Sequence, residues 1–299
     1  MSTLFYITLE DMFTCLDLSA ATGHHLGIAY TPKRLRALRR MMIYRIFEIL
    51  DSRSRRAPEI ESLVSHFVRS STPAAFVVLN WDIVLERSFR RVHAGLPVDY
   101  LCDARDWNRP TLEQEPGGVV VCKMHGSSNW VYCENCKSLF YDVDLKLPLH
   151  NRVGLIKSDF RLFDQSFTDA VFDQAINVDP GQRQCPFCDN TVASHIATFS
   201  YRKSFRTSAY SAVWSSAERI LSLANHWVFV GYSLPEADYE FKHLLKTAEL
   251  QLRHKNRAHP RKIEVVYTGN DQTKTKYERF FGPSPVYHPG GLAGYAATF

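Results

Sequence analysis

The chain has 299 residues, of which 45% are hydrophobic and 22% charged, and its formal net charge is +5. These values are ordinary for a folded globular protein, and they exclude a disordered, collagen-like or coiled-coil chain. No apolar run approaches the roughly 20 residues that span a bilayer, and the N-terminus does not have the pattern of a signal peptide. We therefore expect an intracellular, cytoplasmic protein with no membrane segment.

Helical and strand patterns alternate along the chain. Apolar residues at helical spacing predict helices at 34–51 and 58–69, the second with proline in its first turn. Short apolar runs rich in β-branched residues predict buried strands at 74–79, 119–124, 227–230 and 263–267. Further helices are predicted from Asp82 to about His93 and from about Pro235 to His254. This alternation predicts an α/β fold, a Rossmann-like parallel sheet flanked by helices.

The first predicted helix lies in a strongly basic segment. Residues 31–56 contain nine basic side chains and two acidic ones. Such a helix could bind nucleic-acid phosphates. Few aromatic residues alternate with the basic ones, so a solvated helix face is the preferred interpretation, and nucleic-acid binding by the 33–56 segment is the alternative.

Small and polar residues directly follow all four predicted strands. Ligands of open parallel sheets bind beyond the carboxyl ends of the strands, so these residues are candidates for one shared site. The alternative is that they only form turns, in which the same residue types are common. Four such ends, one with a histidine, favour the shared site. The segments are Asn80-Trp81-Asp82, His125-Gly126-Ser127, Gly231-Tyr232-Ser233 and Gly269-Asn270-Asp271.

Two Cys-x-x-Cys pairs predict a metal site. Cys133 and Cys136 form one pair, and Cys185 and Cys188 form the other. Two such turns supply four thiolates to one tetrahedral Zn²⁺, and a site closed by four protein ligands is structural. Free thiols or a redox pair are the alternatives, but a redox pair needs no second pair. We expect a small zinc-ribbon module at 133–188, inserted into a Rossmann domain formed by 1–132 and 189–299.

The seven cysteines leave three outside these pairs. Cys15, Cys102 and Cys122 are expected to be buried or partly buried thiols.

Several strings occur in an order that resembles the sirtuin superfamily. They are FVVLNWDIVLER (Phe76–Arg87), KMHGSSNW (Lys123–Trp130), the two cysteine pairs, and VFVGYSLPEADYEFKHLL (Val228–Leu245). Their form is more similar to the bacterial SIR2-like branch, which is linked to NAD depletion in antiphage defence, than to the protein deacetylases. The resemblance covers about 76–271.

This resemblance implies NAD as the substrate and cleavage of its nicotinamide–ribose bond. His125 then corresponds to the base that deprotonates a ribose hydroxyl, and Asn80 to the residue that positions a hydroxyl or a water. Asp82 corresponds to a residue that orients Asn80 or the nicotinamide side, and its alternative role is to cap the following helix. The implied cofactor contacts are Gly126, Gly231, Ser233 and, on the adenosine side, Asn270.

The resemblance does not decide which molecule accepts the ADP-ribosyl group. Capture of the ribosyl cation by water makes an NAD glycohydrolase that releases nicotinamide and ADP-ribose, and capture by an acyl-lysine makes a protein deacylase. A third alternative is an inactive scaffold that binds nucleic acid or a protein partner, and a homo-oligomer is also left open.

One motif of the family has no counterpart in this chain. Its Gly-Ala-Gly-x-Ser phosphate loop is absent, the nearest string being Ala21–Gly27. We therefore expect the chain to begin downstream of that loop.

Overall fold

The computed structural model describes residues 9–23, 26–54, 56–70, 73–112, 117–156, 159, 162, 184–196, 208–236, 238–254 and 262–299. The helices in these residues are α1 (Leu9–Thr22), α2 (Pro32–Arg53), α3 (Pro58–Arg69), α4 (Val84–Val92), α5 (Leu149–Val153), α6 (Ser208–Leu223), α7 (Tyr239–His254), α8 (Asp271–Phe281) and α9 (Gly291–Ala296). The strands are β1 (Ala75–Val78), β2 (Val98–Asp99), β3 (Ala104–Asp106), β4 (Val119–Lys123), β5 (Gly126–Cys133), β6 (Leu139–Tyr141), β7 (Val192–Ile196), β8 (His226–Val230), β9 (Lys262–Val266) and β10 (Val286–His288).

The predicted helices are present, with shifted ends. α2 begins two residues before the predicted start because the Thr31 hydroxyl accepts a hydrogen bond from the Arg34 amide at 3.4 Å and Pro32 occupies the first turn. α3 has the predicted bounds. α7 begins at Tyr239, later than predicted, because the chain after β8 first forms an extended loop.

All four predicted strands are present, and they belong to two parallel sheets, although β1 is only partly buried and β8 is exposed at both ends. β4 pairs in parallel with β1 and β2, and β9 pairs in parallel with β8 and β10. Within the described part of the chain, no ladder of hydrogen bonds joins the two three-stranded sheets. The α/β fold with parallel sheets flanked by helices is therefore confirmed, with the parallel strands divided between two sheets.

One hydrophobic core covers both parallel sheets. Val121 of β4 and Val265 of β9 belong to the same buried cluster, together with side chains of α6 and α7. On α3, Phe67 packs edge to face on Phe76 of β1, with ring centroids 6.0 Å apart, and joins a cluster that includes Val228 of β8. Shared helices thus hold the two sheets side by side.

A third sheet carries the cysteine pairs. Its strand order is β3-β6-β5-β7, and it combines parallel and antiparallel pairs. β5 follows β4 after a two-residue turn, is buried along its whole length and ends at Cys133. Since β3 and β7 also belong to this sheet, it extends beyond 133–188, and the domain boundaries stay a prediction.

In the part of the chain that the structure describes, no helix combines the length and the apolar character that crossing a membrane requires.

Candidate functional site

His125 lies in the turn after β4 and is 3% exposed. Its Nδ1 lies 3.2 Å from the main-chain oxygen of Leu79, at the end of the neighbouring strand β1. A carbonyl oxygen only accepts hydrogen bonds, so this contact favours the tautomer in which Nδ1 donates and Nε2 is unprotonated. The role of His125 as a base stays a prediction.

Aromatic side chains of α6 fix the turn that holds His125. The Tyr210 hydroxyl donates to the main-chain oxygen of His125 at 3.3 Å, and the Trp214 indole nitrogen donates to that of Met124 at 2.9 Å. The Trp214 ring lies 6.5 Å from the imidazole, tilted by 35°. These bonds leave little freedom to the backbone that positions the imidazole.

Asp238 was not among the residues that the sequence predicted for the site. In the structure its Oδ1 lies 4.0 Å from Nε2 of His125, and its Oδ2 accepts a hydrogen bond from the Tyr232 hydroxyl at 3.3 Å. Burial, together with the Asp238 charge, strongly raises the pKa of Tyr232. The only sequence signal was its position shortly after the Gly231-Tyr232-Ser233 segment. This contact joins the carboxyl ends of the two parallel sheets.

Asn80 and Asp82 lie between β1 and α4. Asn80 is exposed and directly follows Leu79, whose carbonyl oxygen contacts His125. Asp82 accepts a hydrogen bond from the Val84 amide at 3.1 Å through Oδ1. This bond satisfies the first amide of α4, although Ile83 and not Asp82 occupies the N-cap position. The catalytic role of either residue stays a prediction.

A fully buried ion pair lies beneath this segment. Nζ of Lys123 is 3.4 Å from a carboxylate oxygen of Glu86 and 2.5 Å from the main-chain oxygen of Asp82. The Tyr100 hydroxyl donates to the same Glu86 oxygen at 3.4 Å, and burial and Glu86 raise the pKa of Tyr100. Sequence reasoning missed this pair, although a lysine inside an apolar strand was a visible signal.

The predicted cofactor-contact residues lie at three strand ends. Gly126 has a φ of 77°, which favours glycine, where the chain turns from β4 into β5. Gly231 has a φ of 65° after β8, its amide donates to the Val266 oxygen at 3.0 Å, and a Cβ added to it would meet no atom within 4 Å. Ser233 is exposed in the same loop.

Asn270 follows β9 and is also exposed. Its Oδ1 accepts from the Gln272 amide at 2.8 Å and so caps α8. Its predicted contact with the adenosine side stays untested.

The four paired cysteines converge as predicted. The sulfurs of Cys133, Cys136, Cys185 and Cys188 all lie within 4.8 Å of one another. Cys133 and Cys188, and likewise Cys136 and Cys185, are 3.5 Å apart. Tetrahedral Zn–S bonds of about 2.3 Å place sulfurs about 3.8 Å apart, so this donor set fits Zn²⁺.

The other three cysteines lie outside the cluster. Burial raises the pKa of both Cys102 and Cys122 to about 12, as suits inert thiols. Cys15 is exposed on α1, so the expectation that it is at least partly buried was wrong. α1 lies at the surface on α2 and buries Phe13 and Leu16 instead.

The basic segment is partly neutralised by acidic side chains. Among the described residues of this segment, four cations form ion pairs, two of them with acids far away in the sequence. Arg40 binds Asp159 with two hydrogen bonds, and Arg39 pairs with Asp17 of α1 at 2.6 Å. The solvated face and nucleic-acid binding by the 33–56 segment both stay open.

No family model and no curated protein matches the chain. Among solved structures, a mutant Sir2 with a p53 peptide and NAD is 12% identical, and the match covers 80% of this chain and 68% of that one with a TM-score of 0.40. A mutant Sir2 homologue with ADP-ribose is 14% identical, and that match covers 88% and 70% with a TM-score of 0.41. The function proposed below therefore rests on the residues of this chain.

Proposed function

We propose that this chain is an NAD glycohydrolase. It would cleave the nicotinamide–ribose bond and transfer the ADP-ribosyl group to water. The observation that carries the proposal is the position of His125 at the end of β4, where the Leu79 oxygen lies 3.2 Å from Nδ1 and fixes the ring. Nε2 is the nitrogen that would act as the base. We infer NAD as the substrate from the order of the motifs, which resembles that of the sirtuin superfamily.

The reaction needs one base and one polar positioning group. The bond between the anomeric carbon and the nicotinamide nitrogen breaks, and the nitrogen keeps the electron pair. Asn80 hydrogen-bonds a ribose hydroxyl or positions the water that attacks the resulting cation. Nε2 of His125 accepts the proton that is released. The products are nicotinamide, ADP-ribose and one proton.

We place the rest of the dinucleotide at the loop after β8. A side chain at Gly231 would extend into open space, and the Ser233 hydroxyl is exposed beside it. A glycine at this point allows a phosphate or ribose to approach the backbone closely. We assign Gly231 and Ser233 to the phosphate and ribose side, and Asn270, one strand further, to the adenosine side.

We also propose that the four-cysteine cluster binds one structural Zn²⁺. Four thiolates complete the coordination shell, so the ion takes no part in the reaction. When bound, it ties the end of β5 to the segment that carries the second cysteine pair.

The choice between water and acyl-lysine is tested by the products. The purified zinc-loaded protein is incubated with NAD, with and without an acetyl-lysine peptide, and the products are separated by chromatography. We expect nicotinamide and ADP-ribose at the same rate in both samples. Nicotinamide release that requires the peptide would replace the proposal with a deacylase.

An Asn80→Ala variant tests the positioning role in the same assay. Asn80 is exposed, so the variant should fold normally and lose most of its activity. Full activity in this variant would remove Asn80 from the mechanism. NAD depletion in antiphage defence is the biological role that the resemblance implies.

A further inference from the structure

Asp238 stands at the start of α7. Its main-chain oxygen accepts the Lys242 amide at 3.0 Å, which places Asp238 at the N-cap position of that helix. Its side chain is 14% exposed and reaches back towards the end of β4. A capping residue does not need to contact a histidine on another sheet, so the contact with His125 calls for its own explanation.

The separation of 4.0 Å between Oδ1 and Nε2 of His125 exceeds a hydrogen bond. It lies within the range at which a carboxylate stabilises a positively charged imidazole. When Nε2 accepts a proton, the new charge appears directly opposite Asp238. The Asp238 carboxylate thus stabilises the protonated imidazole that the proton transfer produces.

Tyr232 fixes the orientation of the Asp238 carboxylate. Its hydroxyl donates to Oδ2 at 3.3 Å, so Oδ1 is the oxygen turned towards the imidazole. Because the pKa of Tyr232 is strongly raised, the hydroxyl keeps its proton at neutral pH and remains a donor. Of the neighbouring groups, Tyr210 binds the main chain of His125, and Lys123 on β4 is paired with Glu86.

We propose that Asp238 is a positioning residue that raises the proton affinity of His125 and stabilises its charged form after proton transfer. The proposal rests on the proposed function for the role of His125 as a base. The state of the imidazole can nevertheless be measured without any substrate.

Asp238→Asn is the informative variant. Asparagine caps helices as well as aspartate does, so the substitution removes the charge and keeps the N-cap. The titration of His125 is followed by NMR in the zinc-loaded protein, with the signal assigned by its absence in His125→Gln. We expect the pKa of His125 to fall by at least about 1 unit in Asp238→Asn.

Glu236→Gln is the matched control. It removes one exposed carboxylate two residues away in the same loop. This variant should leave the titration of His125 unchanged. Equal titration curves in Asp238→Asn and Glu236→Gln would overturn the proposal and leave Asp238 as a helix cap.

The pH profile of NAD cleavage gives the second readout. In Asp238→Asn the acidic limb of kcat should move to lower pH by the same shift, and the plateau should fall because a less basic imidazole accepts the proton less readily. KM should not change. A uniform loss of activity without a shifted limb would contradict the proposal. Absence of NAD cleavage by the unsubstituted protein would refute the proposed function alone, since the NMR shift is independent of it.

Discussion

The buried pair of Lys123 and Glu86 allows a stability prediction with a definite size. Both side chains are inaccessible to solvent, and Nζ lies 3.4 Å from the carboxylate. Lys123→Met removes the cation and leaves a carboxylate buried without its partner. Loss of one member of a buried ion pair costs about 3–5 kcal/mol of unfolding free energy. The lost bond to the main-chain oxygen of Asp82 adds about 1 kcal/mol.

Urea unfolding at pH 7 with saturating zinc measures this cost. The double variant Lys123→Met, Glu86→Gln removes both charges and should recover most of the loss, because no unpaired charge remains. Lys274→Met is the control, since its partner Glu278 is 3.9 Å away and both are exposed. That variant should change stability by less than about 0.5 kcal/mol. A loss below about 1 kcal/mol in Lys123→Met, or a double variant as unstable as the single one, would refute the reasoning.

Three further predictions concern the metal site, the second parallel sheet and the loop after β8. Cys188→Ser should lower bound zinc, measured by elemental analysis, from one ion per chain to a small fraction. For Glu264, burial raises the pKa, but hydrogen bonds from Lys262 and His288 outweigh it, so the net pKa is lowered. The stability that the ionised Glu264 contributes is therefore present at neutral pH and lost as the pH falls below about 4.5. Between pH 6 and pH 3, the Tm of Glu264→Gln should therefore fall less than the Tm of the unsubstituted protein. Gly231→Ala should cost about 1–2 kcal/mol in urea unfolding, because a residue with a Cβ is strained at its φ of 65°.

Each of these predictions has a control in the same chain. Cys15→Ser should bind as much zinc as the unsubstituted protein, because Cys15 lies outside the cluster. Glu278→Gln, in an exposed pair, should retain the original pH dependence of Tm. Gly95→Ala should cost almost nothing, since Gly95 does not have a positive φ and a Cβ there would meet no atom within 4 Å. If a control behaves like its variant, the corresponding explanation is wrong.

The buried strands and most of the helices could be predicted because their signals are local. The run AAFVVL at 74–79 is short, apolar and rich in β-branched residues, and it forms β1. The proline at position 58 marks the start of α3. The cysteine spacing likewise predicted which four sulfurs converge. In each case the pattern is contained in short segments, two of them for the cysteines.

The rest depends on contacts between segments far apart in the sequence. The division of the parallel strands into two sheets depends on which edges pair, and periodicity along a single strand does not encode that choice. Asp238 meets His125 only because shared helices hold β4 and β8 in neighbouring sheets. The pairing of Lys123 with Glu86 likewise depends on how α4 packs over β4.

The decisive comparison is nicotinamide release from NAD by the zinc-loaded protein and by a His125→Ala variant. We expect nicotinamide and ADP-ribose in equal amounts from the unsubstituted protein and neither from the variant, with both proteins folded and zinc-bound. No release from the folded, zinc-bound protein, or equal release from both proteins, would mean that the chain is not a His125-dependent NAD glycohydrolase.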